Sequence, residues 1–426
     1  MGLVFILFLL LLLLGMPAAF AIGISGAFFF FVTPDLPLAI TVQRVLAPTQ
    51  SFNMLAVPLF VFAGNLMNNT GITNRLIKLA NVLTGRMHGN LAQTSCLLSV
   101  LMGGVSGSAN ADAAMQCRIF RPAMQEKGYS MGYGAAVNGY TSLIVATIPP
   151  SMGLIIYGSV GEVSIGRLFM GGFVPAILLG IAYMFTIRQT AKARGYAPER
   201  TERAPIGEIG KAALDSIWAL LFPVILIVGI RFGIFTPSES GAFACVYAIV
   251  IGMFVYKELT IEKFKETLKN TAGDIGIIMI LVSLSGIFGY GIVYDRVPQA
   301  LAAFLTGITD NKYLLFFIVM LMLTLAGTCI ETTVVALLMT PILIPVVTSV
   351  GIDPVHFGLI MMTVVTMGIM TPPMGIALFT TSSLMKCSPE ETTRESVPFI
   401  IATLVVVCIC VFFEDLILFL PNLVFG

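Results

Sequence analysis

Charge is what this sequence lacks. Asp, Glu, Lys and Arg make up 11% of its 426 residues, less than half of the roughly 25% usual in a soluble domain. Hydrophobic residues account for 57%, far more than one aqueous core can hide, so a single soluble domain is excluded. The 23 basic and 22 acidic residues leave a net charge of +1. With no polybasic tail, nucleic acid is not an expected partner. The seven cysteines form no CxxC pair and lie almost entirely in apolar runs such as Val407-Cys408-Ile409-Cys410; they read as small hydrophobes, not as a disulfide framework or zinc site. A Walker A lysine motif is absent, which gives no support to ATP-driven transport by this chain alone. The first 34 residues carry no charge. A cleaved signal peptide would start with basic residues and have a shorter apolar core, so this segment is expected to be retained in a lipid bilayer.

What is present is a series of long apolar windows. A hydrocarbon core of about 30 Å needs roughly 20 apolar residues per helix. Charge-free stretches approaching or exceeding that length occupy 1–34, 128–161, 240–256, 275–294, 354–385 and 397–413. They are continuous and rich in Leu, Ile, Phe and Met, not the alternating ten-residue strands of an outer-membrane barrel. The expectation is an all-α polytopic membrane protein. Lys and Arg concentrate at 70–88, 118–127, 188–215 and 257–269, and positive residues favour the cytoplasmic side. Residues 90–117 therefore leave that side and return to it, which predicts a re-entrant hairpin with its tip near Gly103–Asp112. The amphipathic stretches Asn74–Arg86 and Ile261–Thr271 read either as arms along the membrane surface or as simple connecting helices. Pro17 either divides 1–34 into two short helices or kinks one.

The chain also repeats itself. An offset of 223 residues aligns Gly104 with Gly327, Pro122 with Pro345, Pro149-Pro150 with Pro372-Pro373, and Val174-Pro175 with Val397-Pro398. The matches fall on glycines and prolines, which dictate backbone shape. The predicted organisation is a first repeat over 1–187, with a hairpin at about 90–125 and a Pro-broken helix at about 131–160. A cytoplasmic connecting loop at 188–215 follows. The second repeat covers 216–426, with a hairpin at about 311–349 and a broken helix at about 354–384. Counting crossings brings the second hairpin in from the opposite side, its tip at Gly327–Thr333. Two inverted-topology repeats, each with a re-entrant helical hairpin and a broken transmembrane helix, are an architecture of secondary transporters.

Broken helices free backbone carbonyls, which the bilayer tolerates only where protein or a hydrated cavity satisfies them. Carbonyls with Ser, Thr and Asn oxygens make a hard, oxygen-only shell suited to Na⁺, while helix N-termini at the same break suit a carboxylate. Asp112 and Glu331 are ionisable residues at predicted membrane depth, and such residues are functional candidates. Gly104-Val105-Ser106-Gly107 also spells GxSG, a pattern of intramembrane serine proteases. A serine nucleophile needs a nearby base, and neither His88 nor His356 is expected to reach it.

Taken together, Gly104-Val105-Ser106-Gly107-Ser108, Asn110-Ala111-Asp112, Ile148-Pro149-Pro150-Ser151, Phe235-Thr236-Pro237-Ser238-Glu239-Ser240 and Thr371-Pro372-Pro373-Met374-Gly375 resemble the large membrane subunit of TRAP (tripartite ATP-independent periplasmic) transporters, over essentially the whole chain. The resemblance implies a Na⁺-coupled, elevator-type importer of an organic acid in a bacterial inner membrane. The acid could be a C4-dicarboxylate, sialic acid, or another sugar or keto acid. It implies two partners, a separate small four-helix membrane subunit and a periplasmic substrate-binding protein. It places one Na⁺ site at Gly104, Ser106, Gly107, Ser108, Thr147, Ile148 and Pro149, and a second at Gly327, Thr328, Glu331, Met370, Thr371 and Pro372. Substrate would lie between the tips, near Ser108, Asn110, Asp112, Glu331 and Thr332. The alternative is a Na⁺-coupled elevator-type anion transporter that works without a binding protein.

Overall fold

The computed structural model describes residues 1–426 apart from Leu38, Asp310 and Gly426, and the side chains of Gly104, Val105 and Ser106 lie outside the described residues. Among the described residues there are helices and connections but no strand, as a backbone must satisfy its own polar groups where water is excluded. Six helices are long and apolar enough to cross a membrane, or up to nine if each bent pair is one span.

The 1–34 window is two helices, α1 (Gly2–Leu13) and α2 (Ala18–Val32). They part at Gly15, which has φ +81°, and at Pro17, which caps α2. At about 1.5 Å per residue each is shorter than the hydrocarbon core. Next come α3 (Ala39–Leu46), α4 (Ala56–Asn68) and α5 (Ile72–Thr84). The first hairpin is α6 (Asn90–Ser106) with α7 (Ala109–Glu126), followed by the broken pair α8 (Met131–Thr147) and α9 (Met152–Val160), bent by 44°. Then α10 (Ile165–Ala193) runs on through Pro175.

The basic segment 188–215 is not a loop throughout. Its start belongs to α10, and its end forms α11 (Ile206–Asp215), so the irregular stretch is 194–205. After it come α12 (Ile217–Arg231) and α13 (Pro237–Val250). The stretch Ile261–Thr271 is not a separate surface arm: it continues without interruption into the 275–294 span as the 34-residue α14 (Ile261–Tyr294). The second repeat is completed by α15 (Val297–Ile308), the hairpin α16 (Lys312–Cys329) and α17 (Thr332–Ser349), the broken pair α18 (Pro354–Gly368) and α19 (Ile376–Met385), α20 (Pro389–Phe412) and α21 (Glu414–Phe425).

The 223-residue offset recurs in the element boundaries. The hairpin breaks fall at Gly107-Ser108 and Ile330-Glu331, and the broken helices start at Met131 and Pro354. Each second half-helix packs on the other repeat's hairpin, α9 on α17 and α19 on α7, the reciprocal pattern of a two-fold relation.

The ends of the elements reveal the inversion. Arg75 pairs with Glu258 at 2.6 Å, Lys127 with Glu199 at 3.7 Å, Arg194 with Glu395, and the Arg200 N–H donates to the Gly85 carbonyl at 2.9 Å, so the four basic stretches share one face with the base of hairpin one. Helix α20 starts on that face and runs 24 residues, roughly 36 Å of helix. Beyond its far end Glu414 pairs with Lys312, at the base of hairpin two, at 2.7 Å. The two hairpins therefore open toward opposite faces.

Candidate substrate and cation site

Four helix N-termini converge on one cavity. Its lining includes Ser108, Ala109 and Asn110 at the start of α7, Met152 and Gly153 of α9, Glu331, Thr332 and Thr333 of α17, and Ile376 of α19. Three of these starts are capped by side chains. The Ser108 hydroxyl accepts from the Ala111 N–H at 3.5 Å. The Ser151 hydroxyl accepts from the Leu154 N–H at 3.5 Å and donates to the Ala146 carbonyl at 2.5 Å. The Glu331 carboxylate accepts from the Thr333 N–H at 2.8 Å and from its hydroxyl at 3.0 Å. In α19 the backbone does this work: the Ala377 and Leu378 N–H groups donate to the Ile369 carbonyl at 3.0 and 3.1 Å. Helix starts carry partial positive charge even where caps take some of their N–H groups, so their convergence favours an anion.

The cavity spans about 510 Å³ of non-atom space, part of it open to the outside. Its interior has room for a few waters.

Both tips are tighter than the sequence suggests. Helix α6 continues to Ser106 and α16 to Cys329, leaving two residues between the helices of each hairpin. Gly327 and Thr328 thus belong to the last turn of α16, where carbonyls lack partners within the helix. Gly107 turns the first tip with φ +64°, and a Cβ there would lie 3.1 Å from the Pro150 carbonyl oxygen. Its own carbonyl accepts from the Met152 N–H at 3.4 Å, which ties hairpin one to the first break.

The expected cation ligands divide into distinct environments. Thr147, Thr328 and Thr371 donate their hydroxyls to carbonyls one turn back, Leu143 at 3.0 Å, Leu325 at 2.8 Å and Met367 at 2.9 Å, keeping oxygen lone pairs for another partner. Ile148 and Pro149 are buried, Ile148 against Gly103, whereas Pro372 is exposed. The Met370 side chain is buried against Gly139 and fills space between helices, so only its backbone is available as a ligand. The expectation for Ser106, and for the side chain of Gly104, lies outside the described residues.

Asp112 is the correction among the expected substrate ligands. It is 1% exposed and does not line the cavity. Its Oδ2 accepts from Gln116 Nε2 at 2.5 Å and from the Ser99 hydroxyl at 3.2 Å, inside hairpin one. The network continues through Ser95, which donates to Gln116 and lies 2.8 Å from Asn138 Oδ1. Sequence reasoning missed Ser95, Ser99, Gln116 and Asn138 as partners. Gln116 follows Asp112 by four residues, one helical turn, and Asn138 is a polar residue in a charge-free window; both signals were available. Ser151, the cap of α9, was also left out of the ligand sets. His356 Nε2 is bonded to the Cys410 carbonyl at 2.8 Å, so this ring nitrogen is committed elsewhere.

Fold and site together define a multi-pass helical membrane protein of paired hairpins and broken helices. The family model described as "Tripartite ATP-independent periplasmic transporter, DctM component" matches residues 5–416, and the chain belongs to that family. It is similar to the sialic acid TRAP transporter large permease protein SiaM of Vibrio cholerae, 35% identical over 98% of this chain and 97% of the relative. It is also 30% identical to the C4-dicarboxylate TRAP transporter large permease protein DctM of Rhodobacter capsulatus, over 99% of this chain and 98% of that one. Among solved structures, the Alcanivorax borkumensis YdaH transporter shares the fold, with TM-score 0.68 and 12% identity over 89% of each chain. The chain is therefore an integral multi-pass protein of a bacterial inner membrane and a transporter subunit, not an enzyme.

Proposed function

We propose that this chain is the transmembrane subunit of a Na⁺-coupled symporter that imports an organic acid by an elevator-type movement. A periplasmic binding protein delivers the acid, and a small four-helix subunit serves as membrane partner. The observation that carries this reading is the convergence of four helix N-termini, from two oppositely opening hairpins and two broken helices, on one cavity. Such a cavity favours an organic anion, and the substrates named for relatives, sialic acid, C4-dicarboxylate, 2,3-diketo-L-gulonate and the sulfonate isethionate, are all organic acids. Glu331 places a carboxyl group at the same cavity and already occupies the start of α17. An anion beside it is electrostatically costly unless a cation is bound too, which is a physical reason for coupling. Carbonyls in the last turns of α6 and α16, with the Thr147, Thr328 and Thr371 hydroxyls, suit Na⁺, which takes hard oxygen ligands.

The test is uptake into proteoliposomes holding this chain and the small subunit. Organic acid should accumulate only with an inward Na⁺ gradient and the binding protein present. Uptake unchanged when K⁺ replaces Na⁺ sinks the coupling. Uptake without the binding protein favours the alternative, a free-standing anion transporter.

A further inference from the structure

Asp112 belongs neither to the cavity nor to any ion pair among the described residues. Both of its hydrogen bonds fall on Oδ2, and Oδ1 is buried without a partner among the described residues. The donors point toward the carboxylate in sequence: Ser95 to Gln116, then Gln116 and Ser99 to Asp112. Burial of Asp112 favours the neutral acid, and the two donors on one carboxylate oxygen oppose it by stabilising the ionised form. A neutral acid would carry its proton on Oδ1, where it finds no acceptor. An ionised carboxylate buried at membrane depth needs a compensating charge.

The second repeat supplies an internal comparison. At the offset of 223, Ser95, Ser99, Asp112, Gln116, Asn138 and Thr141 correspond to Ile318, Met322, Val335, Met339, Met361 and Val364. Every partner position in hairpin two and α18 is apolar, and that hairpin folds the same way. The fold does not require the polar seam, so hairpin one carries it for another reason.

We propose that hairpin one holds a Na⁺ ion of its own on Asp112 Oδ1, inside the hairpin and apart from the cavity, with no counterpart in repeat two. No group of three or more His, Cys, Asp or Glu converges among the described residues, and a single carboxylate suits a monovalent ion more than a divalent one. The proposal rests on the Na⁺-coupled reading above and adds an ion to the two tip sites.

The experiment is equilibrium binding of radiolabelled Na⁺ to the purified full chain. Two variants are compared: Asp112→Asn, and the triple variant Ser99→Met, Asp112→Val, Gln116→Met, which copies the seam of hairpin two and keeps the fold testable if the first variant aggregates. Each is expected to bind one Na⁺ fewer per chain than the parent. An unchanged count in a folded variant overturns the proposal and leaves the coupled reading standing, whereas a parent chain that binds no Na⁺ overturns both. If Asp112→Asn instead abolishes proton movement during uptake with the Na⁺ count intact, the carboxylate carries a proton and the proposal fails.

Discussion

Gly327 and Gly368 meet backbone to backbone. A Cβ at Gly368 would lie 2.5 Å from the Gly327 carbonyl carbon, and a Cβ at Gly327 would lie 2.5 Å from the Val365 carbonyl oxygen. Hairpin two thus rests on the end of α18 at a distance only glycine permits, as small residues do where membrane helices approach closely. The contact joins the last turn of α16 to the residues just before the Pro372-Pro373 break.

Gly327→Ala should therefore push the two elements apart. Overpacking of this kind costs about 1–3 kcal/mol. A thermal-unfolding midpoint several degrees below the parent's, with a rise in the Na⁺ concentration for half-maximal binding, is the expected outcome. A variant with both quantities unchanged would show that the contact yields without consequence.

Gly107→Ala tests the first tip. The residue needs φ +64° and has only 3.1 Å of space before the Pro150 carbonyl, and the left-handed conformation alone costs a non-glycine residue roughly 1–2 kcal/mol. Na⁺ binding should weaken by up to about tenfold to the extent that the bound tip needs this turn and the free tip can relax from it, since 1.4 kcal/mol is a factor of ten. Isothermal titration of the detergent-purified chain measures it.

Ser151→Ala removes the cap of α9, a loss of about 1 kcal/mol, and leaves the Ala146 carbonyl without its 2.5 Å donor. Because that helix start faces the cavity, the KM for the organic acid should rise several-fold while kcat changes little. Ser151→Thr keeps the hydroxyl and should restore most of the affinity. Equal losses in both variants would point to packing instead of capping.

Glu331→Gln separates charge from shape. A glutamine oxygen can still accept from the Thr333 N–H, so the unfolding midpoint should stay within about 2 °C, given that 1 kcal/mol is worth a few degrees. The Na⁺ dependence of uptake should shift to higher concentration by about tenfold. Transport with the parent's Na⁺ dependence would remove Glu331 from the coupling machinery.

Much of this molecule is legible in its sequence because the governing constraints are local. Pro149-Pro150 and Pro372-Pro373 break their helices wherever the chain places them. Ser108 and Ser130 cap α7 and α8 through their hydroxyls, a role that serine commonly fills. The basic stretches on one face follow from charge alone. The join of Ile261–Thr271 to the next span is less visible, because an amphipathic segment followed by an apolar one reads equally well as two helices; α14 is continuous because no proline or left-handed residue interrupts it.

The two carboxylates show where local reading stops. Asp112 and Glu331 both lie close to a hairpin tip in an apolar chain, and sequence alone determined that each would be ionisable at membrane depth. Tertiary structure decided that they serve different places. Glu331 caps α17 at the cavity, whereas Asp112, one turn into α7, faces the inside of its hairpin toward Ser99 and Gln116. A helix turns by about 100° per residue, so a residue one turn past a tip faces whichever neighbour packs there. That choice was made by the packing of α6, α7 and α8.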